Sequence, residues 1–175
     1  RAGVLDMAFL TDEADLARVP SSFTVQYQVG WVAHPDLLRN VKQPLSARDL
    51  RQLPIILYPP SSPLTQVLSH MLLESRTRPN ARHVGNSLST ISELLRRGYG
   101  VSAVAFASLE EDLASGKLSL IETTESIAPL DICCVHLNRA RKAQVRQIFQ
   151  IAESAAREWC EANPRYVTFK EASVD

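Results

Sequence analysis

Apolar residues along this chain recur with two periods, and the switches between those periods draw most of its secondary structure. The early run Val4-Leu5-Asp6-Met7-Ala8-Phe9-Leu10 reads as a buried strand, and the polar, acidic stretch from Thr11 to Pro20 as a surface connection. Phe23, Val25, Tyr27 and Val29 then alternate with polar neighbours and run on into Trp31-Val32-Ala33. This predicts one strand over 23–33, with Gly30 placed to form a bulge. Ser46, with Asp49 three positions on, predicts a capped helical turn over 46–52. Leu53 to Tyr58 predicts a short strand that Pro59-Pro60 halts. A helix opens at Ser62-Pro63, where the serine oxygen can accept from first-turn amides and the proline lacks an N–H that would have no helical partner anyway. Its stripe is Leu64, Val67, Leu68, Met71 and Leu72, and it ends before Pro79.

The same order repeats downstream. Ala81 to Val84 predicts a strand, Gly85-Asn86-Ser87 a polar turn, and Leu88, Ile91, Leu94 and Leu95 the inner face of a helix that Gly98 stops in a left-handed conformation. Val101 to Phe106 predicts another strand. Ser108 with Glu111 is placed to box a short acidic helix closed by Gly116, and Leu118 to Glu122 follows as a strand. Leu130 to Leu137 is a long apolar strand. Val145, Ile148, Phe149, Ala152, Ala155, Ala156 and Trp159 stripe the longest helix, which Pro164 ends before a tail over 164–175. Strands alternating with helices imply βαβ units, a mostly parallel sheet with helices on both faces, and an α/β fold.

Composition narrows the functional classes. With 175 residues, 45% hydrophobic and 22% charged, the chain can bury a sizeable core as one domain or two small lobes. No apolar run approaches the roughly 18 residues of a membrane span, and Arg1 to Leu10 lacks the layout of a secretory signal, so no membrane is expected and the expected compartment is the cytoplasm. Arg1 in place of a start methionine, followed at once by a strand, leads to the expectation of a fragment. Nineteen basic residues balance nineteen acidic ones, which argues against direct contact with nucleic acid, because phosphate neutralisation needs clustered Lys and Arg. The basic group Arg139, Arg141, Lys142 and Arg146 reads as a solvated helix face. Cys133, Cys134 and Cys160 form no disulfide framework and suit a reducing compartment; strand alternation turns one of the vicinal thiols toward the core.

Ligands of an open α/β sheet sit outside the carboxyl ends of its strands, at helix N-termini. Two such turns are present, Tyr58-Pro59-Pro60-Ser61-Ser62-Pro63 and Gly85-Asn86-Ser87. Ser62 and Ser87 are each explained singly as helix caps; as a pair they point to a ligand. Catalysis is not expected: Ser61 or Ser62 with His83, His34 or His70 has neither a nucleophile elbow nor a placed acid. The four histidines, His34, His70, His83 and His136, lack metal-ligand spacing, and no phosphate loop or dinucleotide fingerprint occurs, so neither a metal nor a cofactor is expected.

Over residues 85–123 the chain resembles the effector-binding domain of LysR-type transcriptional regulators. Asn86-Ser-Leu-Ser-Thr-Ile-Ser-Glu-Leu-Leu-Arg-Arg-Gly98-Tyr-Gly100-Val-Ser-Ala-Val is similar to the family's helix followed by Gly-x-Gly-Ile-Ala, and Leu113-Ala-Ser-Gly116-Lys-Leu118 to its turn into a strand. Upstream, Gly3-Val-Leu5-Asp6-Met-Ala8, Trp31-Val-Ala-His34-Pro35 and Leu45 to Pro54 resemble further family segments in the same order, so the resemblance runs over 3–160.

That resemblance implies a type II periplasmic-binding-protein fold, two Rossmann-like lobes joined by crossover strands near 53–58 and 123–132, with the effector in the cleft. Lobe one would hold 1–54 and 132–163, lacking its first strand and helix; lobe two would hold 55–131. A winged helix-turn-helix would precede residue 1, so promoter DNA would be met by the parent protein, as a homodimer or homotetramer. Carried over by position, the effector-contacting residues are Ser61, Ser62, Asn86 and Ser87, with Ala105, Phe106 and the lobe-one loop at His34 as further candidates. Many members carry proline where Ala105 stands. The implied effector is a small metabolite, and the hydroxyls at two helix N-termini make a carboxylate or other anion the expected class; the alternative is a transporter's solute-binding protein with the same fold. An oxidant-sensing role for Cys133 ranks below both, and an enzyme last.

Overall fold

A computed structural model describes residues 5–11, 21–73, 81–136 and 143–171. In chain order the strands are β1 (Met7–Leu10), β2 (Ser21–Tyr27), β3 (Val29–Ala33), β4 (Ile55–Leu57), β5 (Ala81–Val84), β6 (Val101–Ala105), β7 (Ser119–Leu120), β8 (Leu130–His136) and β9 (Val167–Glu171). The α-helices are α1 (Ala47–Leu50), α2 (Pro63–Leu73), α3 (Leu88–Arg96), α4 (Glu110–Ala114) and α5 (Ala143–Ala162). The expected connection over 12–20, the end of α2 near Pro79, and Arg139, Arg141 and Lys142 lie outside the described residues.

The chain forms two units, one from Arg1–Gln28 with Pro129–Asp175 and the other from Val29–Ala128. In the first unit the strand order is β1-β8-β2-β9, with every described neighbour pair antiparallel. Phe23 is fully buried, with Phe149 of α5 at 5.6 Å and Phe169 of β9 stacked at 5.5 Å between ring centroids. Arg157 of α5 lies 4.2 Å over the Phe169 ring and pairs with Glu171 at 2.9 Å. Residues expected as a tail are therefore a sheet strand: Val167 and Phe169 carry the apolar face that a polar-looking terminus needs in order to pair with β2.

The second unit has the order β5-β4-β6-β3-β7. Only β4 with β5 and β4 with β6 run parallel; β3 is antiparallel to both β6 and β7, so the mostly parallel expectation holds for the β5-β4-β6 side of this sheet alone. Val32, Ile56, Ile91, Leu95, Val104, Leu109 and Leu118 form the core cluster between the sheet and α3–α4. The Ser102 hydroxyl donates to the Ile56 carbonyl at 2.9 Å and is satisfied inside that core.

Two boundaries differ from the sequence expectation. The run over 23–33 is two strands, because the chain leaves the first sheet after Tyr27 and enters the second at Val29. Hence the first passage between units falls at Gln28–Val29 rather than at 53–58, and residues 29–54 belong with the second unit. Alternation is unbroken across the passage, which is why periodicity alone could not divide it. The return passage, at Ala128–Pro129, lies inside the expected 123–132. Gly30 is no bulge: it pairs in register with Val104, and the irregularity lies between Ser21 and Phe23.

Local stops follow their expected chemistry in three places. Ser46 and Asp49 form a reciprocal box, each accepting the other's backbone N–H, at 3.3 and 3.0 Å. Gly98 has φ +68 and closes α3 with Gly98 N–H to Leu95 and Tyr99 N–H to Leu94. Gly116 has φ +73 after α4. Ser108 departs from expectation: it donates to the Ala105 carbonyl and does not box α4, which a 3-10 turn over Phe106–Leu109 leads into instead.

Candidate functional site

Strand direction places the candidate residues. Because β4, β5 and β6 are parallel, Tyr58, Gly85 and Ala105-Phe106 all emerge at one edge of the second sheet. The connections β4-α2-β5 and β5-α3-β6 leave in opposite senses, and right-handed crossovers set α2 and α3 on opposite faces. The order of strands reverses between β4 and β6, and that reversal opens the crevice in which such sheets hold ligands.

At this edge the structure gathers Ser61, Ser62, Asn86, Ser87, Ala105 and Phe106. The Gly85 amide donates to the Leu57 carbonyl at 2.9 Å, which holds the β5 turn against the end of β4. The Ser87 side chain caps α3, accepting the Thr90 N–H at 3.2 Å, and its hydroxyl lies 3.1 Å from that of Ser89 and 2.8 Å from that of Thr90. Thus the capping explanation of Ser87 is correct, and it brings two more hydroxyls along. Ser62 supplies a backbone carbonyl to the Gln66 N–H at 3.1 Å, and Thr65 donates its hydroxyl to the Tyr58 carbonyl at 3.0 Å, closing the first turn of α2. Ser61 and Asn86 are exposed, while Ser62, Ser87, Ala105 and Phe106 are half-buried.

His34 does not join them. It follows β3, whose end at Ala33 pairs with Val101 at the start of β6, whereas the candidate edge is at Ala105 opposite Val29. Four residue steps of strand, about 13 Å, separate the two ends. His34 instead caps the turn over Pro35–Leu38, its Nδ1 accepting the Asp36 N–H at 3.2 Å, and it lies beside Gly98. It also belongs to the second unit and not to lobe one.

Two further residues shape this edge: Tyr58, which the sequence shows only as the start of its turn, and Gly30, which the sequence shows only as a candidate bulge. Tyr58 shares strand parity with Ile56 and packs against the core cluster, as does Phe106 through its parity with Val104. Burial pushes the Tyr58 phenol up to about 12, so it remains a neutral hydrogen-bond donor across the physiological range. A Cβ at Gly30 would overlap the tip of the Phe106 ring, so the missing side chain is what lets this ring lie against β3. The signal for Tyr58 is its spacing of two from Ile56; no local signal marks the contact of Gly30 with Phe106, because it crosses from β6 to β3. Trp31 turns to the other face, and its Nε1 is buried without a partner among the described residues.

The thiols lie elsewhere. Cys133, Cys134 and Cys160 are all buried and free, so both vicinal thiols are covered rather than one. Burial, with Glu153 nearby, pushes the Cys134 thiol up to about 11, and Thr24 donates its hydroxyl to Cys133 Sγ at 3.2 Å. Among the described residues no three His, Cys, Asp or Glu side chains gather as a metal site.

A doubly wound sheet with hydroxyl-bearing turns at its carboxyl edge defines an α/β module of the small-molecule-binding kind. The chain belongs to the LysR substrate binding domain family, whose model matches residues 1–157. Its fold is similar to the regulatory domain of OxyR2 E204G from Vibrio vulnificus, at 20% identity and a TM-score of 0.68, over 89% of this chain and 74% of that one. It is similar also to the bromide-bound regulatory domain of HypT from Salmonella typhimurium, at 16% identity and a TM-score of 0.64, over 91% and 74%. HinK, a LysR family transcriptional regulator from Pseudomonas aeruginosa, matches at 19% identity and a TM-score of 0.60, over 85% of this chain and 51% of that one. The chain thus spans about half the length of HinK. No curated protein sequence matches. Among the described residues no helix is long and apolar enough to cross a membrane.

Proposed function

We propose that this chain is the effector sensor of a LysR-type transcriptional regulator, and that a small anionic metabolite, a carboxylate by preference, binds at the edge formed by the turns after β4, β5 and β6. The observation that carries the reading is the convergence of Ser61-Ser62, Asn86-Ser87 and Ala105-Phe106 on that edge, within a family whose domain is named for substrate binding. Hydroxyls and free amides at the N-termini of α2 and α3 favour negative charge there. The bromide held by the HypT regulatory domain is a precedent for an anion in this fold. Effector binding would shift the parent protein, as a homodimer or homotetramer, between states of different affinity for promoter DNA, the shift being limited by the effector's differential affinity for those states. DNA contact would come from a segment upstream of Arg1, which agrees with a net charge of zero over these residues. This reading sets the protein's work in the cytoplasm. The fold neighbours are regulators, which favours sensing over the transporter alternative.

Differential scanning fluorimetry of the whole chain against millimolar carboxylate metabolites tests the proposal. A ligand at 100 times its Kd stabilises by about 2.7 kcal/mol, several degrees in Tm. The expected stabilisation should fall in Ser62→Ala and in Ser87→Ala, each compared with its own unliganded melt. A panel in which no compound raises Tm, or a rise that survives both substitutions together, would refute the assignment.

A further inference from the structure

The turns that bear the hydroxyls also bear two aromatic rings and no cation. Ile56 and Tyr58 share one face of β4 and its continuation, Val104 and Phe106 the same face of β6, and Gly30 and Val32 the same face of β3. Tyr58 and Phe106 therefore stand on neighbouring strands, on the face that α3 covers, each resting on the core cluster and each only half-buried. The Phe106 ring is held in place from beneath, because it lies where a Cβ of residue 30 would otherwise be. Across 58–63, 85–90 and 101–109 there is no Lys, Arg or His, and the residues that follow are Glu110 and Glu111.

We infer that the ligand of this edge carries a flat apolar group, which packs on Tyr58 and Phe106, and at most a single negative charge. This rests on the effector-site reading above and narrows its substrate class. A helix N-terminus offers about half an elementary charge. A monoanion can be held by such termini and hydroxyls, whereas a dicarboxylate or phosphate group would keep a second charge that no side chain of these turns can pair. The neutral Tyr58 phenol adds a hydrogen-bond donor beside the ring face, not a charge. Offset stacking and edge contacts between rings then select aromatic over aliphatic acids.

Isothermal titration of the whole chain with phenylacetate, acetate, succinate and inorganic phosphate separates the classes. Phenylacetate is expected to bind at least tenfold more tightly than the other three. Phe106→Ala is expected to weaken it about tenfold and Phe106→Tyr to restore it. Gly30→Ala, which retains both rings but displaces one, is expected to weaken phenylacetate without removing apolar surface, and circular dichroism and melting of each variant exclude misfolding as the cause. Succinate or phosphate binding as tightly as phenylacetate would overturn the inference while leaving an effector site at this edge. So would phenylacetate affinity unchanged in both Phe106→Ala and Gly30→Ala. Failure of all four probes to bind overturns the inference as well, and the wider carboxylate panel then decides the effector-site reading separately.

Discussion

Gly100 and Gly116 are both glycines that follow helices, yet replacing them costs different amounts for different reasons. A Cβ at Gly100 would lie far inside contact distance of the Pro54 carbonyl oxygen, with Ile56 Cγ1 at 3.1 Å, and the first of these is backbone that no rotamer change can clear. In Gly100→Ala, β4 and β6 must part by on the order of 1 Å to restore ordinary contact. The Val101 N–H to Pro54 carbonyl bond, 2.8 Å long, joins those strands at the same place and weakens with them. Overpacking costs about 1–3 kcal/mol and a weakened hydrogen bond about 0.5–1.5 kcal/mol, so the sum is about 1.5–4.5 kcal/mol, centred on about 3 kcal/mol. For a chain of this size that lowers Tm by about 10 °C. At Gly116 nothing lies within 4 Å of the added Cβ, and φ is +73, so Gly116→Ala meets dihedral strain alone. That strain costs about 1–2 kcal/mol. Urea denaturation followed by circular dichroism should rank the two substitutions in that order, and Asn should behave oppositely at the two sites. Gly116→Asn recovers part of the loss, since Asn tolerates the left-handed region, while Gly100→Asn is worse than Gly100→Ala. A Gly100→Ala loss below about 0.5 kcal/mol, or rescue by Asn at residue 100, would refute the steric argument.

Further outcomes follow from individual side chains. Asp112 is 8% exposed and receives both Nε and Nη2 of Arg96, at 3.1 and 2.8 Å, which fastens α4 to α3. Since Arg96 is 43% exposed and screened by water, Asp112→Ala should cost about 1–2 kcal/mol by urea denaturation rather than the 3–5 of a fully buried pair. Tyr58 is neutral in the folded state up to about 12 against 10.0 for a free phenol, so its contribution is complete below pH 10 and is lost as pH rises toward 12. In alkaline unfolding Tyr58→Phe should accordingly lose less stability between pH 10 and 12, by about 2–3 kcal/mol at most. Cys133, Cys134 and Cys160 should resist iodoacetamide in the native chain at pH 8 and react together on unfolding, as counted by mass spectrometry; rapid native labelling of Cys134 would contradict its burial.

Elements whose evidence is local were legible before any coordinates. The buried pair Leu64 and Leu68, the Ser46–Asp49 box and the Gly98 stop each depend on residues within a turn or two of one another, and backbone chemistry at that range is set by residue type. The placement of the turns after β4 and β5 at the carboxyl edge of the sheet was legible for the same reason, because a strand followed by a polar turn and a helix has that edge written in its order. Long-range partners were not. Nothing within Phe23–Ala33 marks Gln28 as the place where one sheet is exchanged for another, since alternation satisfies either sheet equally. The tail became β9 only because β2 presents Phe23 and Val25 for Phe169 and Val167 to cover. His34 reads as a site residue until the antiparallel direction of β3 carries it to the far end of its sheet, and Gly30 reads as a bulge until Phe106 comes across from β6 to lie on it. Residue type and spacing determine caps, stops and periods, whereas strand direction and pairing are decided by which apolar faces meet when the whole chain is buried together.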